Sequence, residues 1–221
     1  NVAGFGALSG GAIRYRAYAR AGRAPDEIAR IIAFVTLSFS LGLTIITAIA
    51  LIPMSPEIAP LVGRGVLIDM AKHNGVDTME GGQAITTDDL KAAMEAQGVE
   101  PREGDIILIH TGWTDAKLVS EPQEWVSKEP GLDNEASNFL ASFGPVAVGA
   151  DTWGLDVVPP VAGEKVFYGH VNLLKKNGIY MVETMNTGRL ASEGINEFMF
   201  VLGQARIKGT VQMIINPVAM W

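Results

Sequence analysis

Residues 57–221 predict an α/β fold, in which short buried strands alternate with amphipathic helices. Two segments, 86–98 and 132–144, carry apolar residues along one helical face. Four runs are almost entirely apolar and are bounded by glycine or charged residues, as in strands that are covered on both faces: 64–71, 104–113, 145–151 and 179–183. This alternation predicts one layered domain around a mixed sheet.

The helix and strand ends carry local signals of their own. Thr86 and Asp89 have the spacing of a capping box, and Gly98 is a typical helix end. The segment 172–178 predicts a brief helix that ends at Gly178. The stretch 205–221, "ARIKGTVQMIINPVAMW", predicts a β-rich tail.

Composition divides the chain near residue 56. The net charge is −7, yet residues 1–56 carry five arginines against Asp26 and Glu27, so the charge of this segment is +3 and that of residues 57–221 is −10. An acidic body of this kind has no electrostatic footprint for nucleic acid. The chain contains no cysteine, which excludes disulfide scaffolds, thiolate metal sites and cysteine nucleophiles.

The first segment, 1–56, has the hydropathy of a membrane helix. Residues 31–56 contain no charged residue, and a 20-residue helix spans about 30 Å, the hydrocarbon thickness of a bilayer. We therefore expect an apolar transmembrane helix at 31–53, because an arginine-rich flank before such a run is typical of the cytoplasmic side. The α/β body is expected in the cytoplasm, in contact with the membrane through 31–53. A signal peptide fits less well, because the apolar run is too long and begins after a thirty-residue polar lead. The alternative is a buried core helix of a soluble fold.

Residues 1–53 also resemble part of a known membrane domain. The stretch "GFGALSGGAIRYRAYARAGRAPDEIARIIAF" is similar to a fragment of lysylphosphatidylglycerol synthase/flippase-type proteins. A fragment of this size cannot form the bundle of the parent domain or carry its activity.

The body resembles the cyclase family of metal-dependent hydrolases, which includes kynurenine formamidase and isatin hydrolase. The likeness runs from about Leu61 to Trp221 in seven collinear blocks: "GRGVLIDMA", "ITTDDLKAAMEAQGV", "GDIILIHTGW", "PGLDNEASNFLA", "VGADTWGLDVVPP", "GHVNLLKKNGIYMVE" and "RIKGTVQMIINPVA". The resemblance implies a swivelling β/β/α domain that assembles as a homo-oligomer. It also implies hydrolysis of an amide or lactam bond in a small-molecule substrate.

The same resemblance implies a divalent metal, zinc or manganese. Family members bind it through an early His-x-Gly-Thr-His-x-Asp-x-x-x-His motif and a later His and Glu, which His170 and Glu183 match. A short helix and a returning strand join these two residues, so we expect them to meet at one end of the sheet. The early motif does not occur in this sequence, and the apolar segment stands in its place. We therefore expect an N-terminally truncated domain with half of a metal site and doubtful activity.

Each candidate residue also has a structural interpretation. His170 follows an aromatic pair and fits a hydrogen-bonded structural role. His110 lies within a predicted strand, with a substrate contact as the lesser alternative. Trp153 could line an aromatic substrate pocket or pack in the core, whereas Asp115 and Asp156 are interpreted as loop or capping residues.

Three functional hypotheses follow from the sequence. The first is a cyclase-family hydrolase, active or inactive in this chain. The second is a non-catalytic module, tethered to a membrane through 31–53, that oligomerises or binds a ligand. The third is a fusion of two unrelated fragments, favoured over the second by the abrupt change in charge near residue 56.

Overall fold

The computed structural model describes residues 18–20, 22–31, 33, 61–203, 207, 209–210 and 212–221. The chain divides into two units, Asn1–Ala59 and Pro60–Trp221. Residues 25–31 of the first unit are helical. Within the described ranges, no helix is long and apolar enough to cross a bilayer. The expected span at 31–53 lies almost wholly outside the described residues, and its membrane role stays a prediction.

The second unit is an alternating succession of strands and helices. The strands are β1 (Leu61–Asp69), β2 (Ala84–Ile85), β3 (Ile106–His110), β4 (Gly131–Leu132), β5 (Ala147–Ala150), β6 (Tyr180–Val182), β7 (Glu197–Leu202) and β8 (Val218–Met220). The α-helices are α1 (Met70–His73), α2 (Thr87–Gln97), α3 (Trp113–Lys117), α4 (Pro122–Ser127), α5 (Asn134–Ser142), α6 (Tyr168–His170) and α7 (Gly188–Glu193). A π-helical turn, Val171–Lys176, continues α6.

Six of the strands form one mixed sheet in the order β6-β5-β3-β1-β7-β8, and β2 pairs with β4 in a small second sheet. Strands β6, β5, β3 and β1 are parallel, so their carboxyl ends share one edge. Strand β7 runs antiparallel to β1, and β8 antiparallel to β7. The predicted α/β class and the single mixed sheet are confirmed.

Both faces of the central strands are apolar. On one face, Val66, Ile107 and Val148 pack in a core with helices α2 and α5. On the other, Leu67 and Leu108 pack with Leu190 of α7 and Phe200 of β7. Residues that alternate along a strand point to opposite faces, so a strand between two apolar layers has a continuous apolar sequence. Strand β6 is the exception, because Tyr180 is exposed at the edge of the sheet.

The main helices begin where the sequence predicts. In α2, the Thr86 side chain accepts from the Asp89 backbone N–H, the Asp89 carboxylate accepts in return, and Gly98 ends the helix in the left-handed conformation. Asp133 caps α5 through the backbone N–H of Ala136. Both interactions satisfy N–H groups that the first helical turn leaves unpaired.

Several elements differ from the prediction. Helices α3, α4 and α7 have five or six residues each, too few to show a helical period in sequence. The segment expected as a brief helix is largely π-helical. In the expected β-rich tail, only Val218–Met220 forms a strand among the described residues, where it pairs with β7. An apolar sequence predicts a strand only where a neighbouring strand is available for pairing, and the sequence of the tail does not show where that is.

We expect Ile107→Asp to destabilise the fold by several kcal/mol, because Ile107 is 0% exposed in the central strand and the substitution buries an unpaired charge. Urea unfolding measures the loss. The matched control is Val119→Asp at a side chain that is 91% exposed. Equal effects of the two substitutions would contradict the assignment of β3 to the core.

Candidate functional site

Four polar residues lie at the shared edge of the parallel strands. Asp69 and His110 end β1 and β3, and Asp151 and Glu183 directly follow β5 and β6. Parallel strands place such residues side by side, which is why ligands bind at this edge in open α/β sheets. The candidate site lies at the β5–β6 end of the edge.

His170 stands between two carboxylates. Its Nδ1 lies 2.8 Å from Asp156 Oδ2, and its Nε2 lies 3.2 Å from Glu183 Oε1. All three side chains are at least partly buried. The predicted meeting of His170 and Glu183 is therefore observed, while their role as metal ligands stays a prediction.

Local backbone geometry holds Asp156 against the histidine. Its Oδ1 accepts from the backbone N–H of Gly169, one residue before His170, at 2.7 Å. A Cβ at Gly169 would collide with this same carboxylate, so the close approach requires glycine. The π-helical turn begins directly after His170, and such turns are frequent at functional sites.

The two carboxylates determine the protonation of His170. Hydrogen bonds that the imidazolium donates to Asp156 and then to Glu183 raise the pKa of His170 to about 9, against a smaller lowering by burial. The ring is therefore an imidazolium at neutral pH and donates from both nitrogens. A metal ion at Nε2 would have to displace that proton.

A third carboxyl group, Glu129, lies behind the site. It is 0% exposed, and its Oε2 accepts from the backbone N–H of Trp153 at 2.7 Å. Burial raises the pKa of Glu129 to about 8, and the charges of Glu183 and Asp156 add to the effect. Its Oε1 has no hydrogen-bond partner among the described residues. Glu129 is thus a neutral carboxylic acid at pH 7.

An aromatic wall flanks the histidine. The Phe167 ring meets the His170 ring edge-on at 5.3 Å and the Trp153 ring at 6.1 Å, centroid to centroid. Trp153 is fixed by its indole N–H, which donates to the backbone carbonyl of Trp125 at 2.9 Å. Both the wall and the packing role considered for Trp153 are compatible with this position.

Unusual backbone conformations concentrate at the site. In the described part of the chain, three non-glycine residues have a left-handed backbone, namely Leu155, Phe167 and Thr184. Leu155 precedes Asp156, Thr184 follows Glu183, and Phe167 lies three residues before His170. Such conformations cost free energy and persist where the surroundings impose them, often at functional sites.

Sequence reasoning named three members of this cluster, His170, Glu183 and Trp153, and missed three others. Asp156 lies in a loop and accepts from the Gly169 backbone N–H in the first turn of α6, as the loop or capping interpretation expects, but its bond to His170 was not predicted. Its place, a few residues past the end of β5, was an available signal. Glu129 and Phe167 carried no signal, because a charged residue or an aromatic residue in a loop is ordinary. His110 is bonded as expected, with its Nδ1 2.8 Å from Thr187 Oγ1.

Within residues 61–203 and the other described positions, no three His, Asp or Glu side chains are grouped to hold a metal ion. In the Asp156–His170–Glu183 row, each ring nitrogen of His170 bonds a carboxylate. The two other histidines of the chain, His73 and His110, lie outside this row.

Comparison with known proteins identifies the family. The family model named Cyclase, described as "Putative cyclase", matches residues 44–157, just over half of the chain. The chain belongs to the cyclase family. The sequence-based resemblance is confirmed, whereas the comparisons do not support the likeness of residues 1–53 to a membrane domain. The match also includes residues 44–56, which the charge break had assigned to the first segment.

Solved structures of this family share the fold. A structure described as a novel cyclase is 28% identical, with a TM-score of 0.63, and the match covers 72% of this chain and 53% of that one. An isatin hydrolase bound to the product analogue thioisatinate is 20% identical, with a TM-score of 0.59 and coverage of 72% and 60%. Isatin hydrolase A from Ralstonia solanacearum is 19% identical, with a TM-score of 0.61 and coverage of 75% and 62%.

The chain spans between about half and three-fifths of the length of these structures. At 19–20% identity, the two isatin hydrolases show the fold alone. No curated protein matches the chain significantly.

We expect Thr184→Gly to relieve backbone strain beside Glu183. A left-handed conformation costs an L-residue about 1–2 kcal/mol, while glycine adopts it freely. Thr210→Gly is the matched control, because Thr210 is exposed and is absent from the left-handed set. Thermal unfolding should show Thr184→Gly to be more stable than the control by about 1–2 kcal/mol. Equal stabilities would show that Thr184 stores no strain.

We expect Glu129 to make stability fall as pH rises. Because the pKa of Glu129 rises from 4.5 to about 8 on folding, the folded state binds more protons than the unfolded state between these values, and the free energy of unfolding decreases across that range. Glu129→Gln should remove the Glu129 share of the decrease, which is on the order of 3 kcal/mol, while the raised pKa of His170 contributes a separate decrease above pH 6.5. Chemical unfolding at pH 5 and pH 8 measures the difference between the variant and the unaltered chain, with exposed Glu95→Gln as control. The same pH dependence in Glu129→Gln as in the unaltered chain would contradict a buried neutral acid.

Proposed function

We propose that this chain belongs to a cyclase-family, metal-dependent hydrolase that acts on an amide or lactam C–N bond of a small molecule. Family membership supports the proposal. So do the names of structures with this fold, which include isatin hydrolases and a potential metal-dependent hydrolase with cyclase activity. In this proposal, His170 and Glu183 are metal ligands and Asp156 orients His170.

The observation that carries the proposal is the row Asp156–His170–Glu183. A carboxylate at one imidazole nitrogen fixes the ring and increases the basicity of the other nitrogen, the usual support of a metal-bound histidine. Asp156 occupies that position at 2.8 Å from Nδ1. Nε2 then points at Glu183, a second ligand of the kind that zinc and manganese accept.

The described residues include ligands of the type that a divalent metal binds, but fewer of them than a catalytic metal site needs. Catalytic sites use about three protein ligands, and His170 and Glu183 supply two. When bound, such a metal supplies Lewis-acid chemistry and activates water for hydrolysis. The residues of this chain would contribute orientation through Asp156 and shielding from solvent through Phe167 and Trp153. We therefore infer weak metal binding and little or no turnover by the chain alone.

A ligand-binding module without catalysis is the second candidate. It is favoured by one observation, the lack of a third metal ligand beside His170 within the described residues. The two candidates make opposite predictions once the early motif is supplied.

We expect zinc or manganese titration to detect one weak site that depends on His170. His170→Ala should abolish it, and Asp156→Asn should weaken it by roughly 10–100-fold, since orienting partners have effects of this size. His73→Ala is the control, because His73 lies at the end of α1 and away from the row. Binding that is unchanged in His170→Ala would contradict the proposed ligands. Robust hydrolysis of aryl formamides or isatin by the unaltered chain would contradict the inference that its metal site is incomplete.

Addition of a His-x-Gly-Thr-His-x-Asp segment ahead of Leu61 separates the two candidates. If the body is a hydrolase, the added ligands should strengthen metal binding and produce turnover that His170→Ala abolishes. If strong metal binding returns without any turnover, the non-catalytic module is favoured.

A further inference from the structure

A second cleft opens at the same edge of the sheet, at the carboxyl ends of β1 and β3. We call it the β1–β3 cleft. Its volume is about 660 Å³, and the ends of the two strands, the loop after α1 and helices α3 and α7 line it. Two strand spacings, about 10 Å, separate its floor from Glu183. The lining side chains that matter here are Asp69, Lys72, Asp77, His110 and Asp115.

His110 is the buried polar group of this cleft. It is 7% exposed, and its Nδ1 lies 2.8 Å from Thr187 Oγ1, with Asp151 Oδ2 at 3.7 Å on the same side. Its Nε2 has no hydrogen-bond partner within the described part of the chain. The ring is thus anchored through Nδ1, while Nε2 is reached by solvent and can bond a ligand or water in the cleft.

Carboxylates line the same cleft as His110. Asp69 is the register partner of His110 on β1 and is 5% exposed, with one oxygen accepting from the Lys72 backbone N–H. Asp77 and Asp115 add two further negative charges, against the single cationic side chain of Lys72. The lining is therefore acidic and rich in hydrogen-bond acceptors.

The absence of a side chain at Gly188 leaves room for the Asp115 carboxylate. A Cβ at Gly188, the first residue of α7, would collide with Asp115 Oδ2. Glycine at this position lets the carboxylate lie against the start of α7, at the wall of the cleft.

We propose that the β1–β3 cleft binds the primary ammonium group of a small organic cation. An ammonium has three donors and no acceptor, which complements Asp69, Asp115 and His110 Nε2. This recognition requires the tautomer with the proton on Nδ1, in which Nδ1–H donates a hydrogen bond to Thr187 Oγ1 and Nε2 is an acceptor. The carboxylates repel an anion, and the lining lacks three side chains grouped for a metal ion among the described residues.

Histidine NMR tests the proposal on the whole chain, which has only three histidines. Butylammonium chloride is the probe, sodium butyrate is the anionic control at equal ionic strength, and His73→Gln and His170→Gln assign the signals. We expect butylammonium to give saturable shifts of the His110 ring while His73 stays unchanged, with Nε2 showing the nitrogen shift of an unprotonated acceptor. Butyrate should give no such shifts.

Variants of the wall complete the test. Asp115→Asn should weaken butylammonium binding at least fivefold, and Gly188→Ala should do the same by displacing the Asp115 carboxylate. Asp88→Asn, which removes the same charge from an exposed position, should leave binding unchanged. Equal shifts with butyrate, equal affinities of Asp115→Asn and Asp88→Asn, or a protonated Nε2 in the complex would each overturn the proposal. Zinc binding is read separately from the His170 signals, so the two proposals can fail independently.

Discussion

Parallel pairing of β1, β3, β5 and β6 is the constraint from which both candidate sites follow. Strands that are apolar on both faces cannot hold a charged side chain along their length without a large desolvation cost, so the polar residues occur where the strands end. Because the four strands run in the same direction, these ends share one edge, and Asp69, His110, Asp151 and Glu183 lie along it. The residues come from distant parts of the sequence, yet the sheet brings them within a few strand spacings of one another.

The β5–β6 end of this edge shows a balance of opposed charges. His170 is positively charged between Asp156 and Glu183, and Glu129 behind them stays protonated because its ionised form would be buried beside two carboxylates. Three left-handed residues hold the loops that carry this group. A cation at His170 Nε2 would replace the imidazolium proton with a charge of the same sign, so the surrounding carboxylates suit either state. This equivalence connects the raised pKa of His170 with the proposed metal role.

The elements with a strong period were predictable, and those set by tertiary contacts were not. The strand 104–113 and the helix with its Thr86–Asp89 capping box could be located from sequence, because burial and capping are local in sequence. The π-helical turn after His170 and the five-residue helix α3 have no comparable signal. Within the site, the approach of His170 and Glu183 followed from the short path between them and from the family resemblance. Asp156 and Glu129 could not be assigned in this way, because their roles depend on loops that return to the site from 14 and 41 positions before His170.

Anomalous diffraction from crystals of the chain soaked in zinc is the most direct test of whether His170 and Glu183 bind a metal ion, because it locates the ion without depending on turnover. We expect one peak at about 2.0–2.2 Å from His170 Nε2 and from a Glu183 carboxylate oxygen. Asp156 should remain bound to Nδ1, and water should complete the coordination. The direct contact between His170 Nε2 and Glu183 should then be lost. A peak elsewhere in the chain, or an intact contact between His170 and Glu183 at saturating zinc, would contradict metal binding by these two residues.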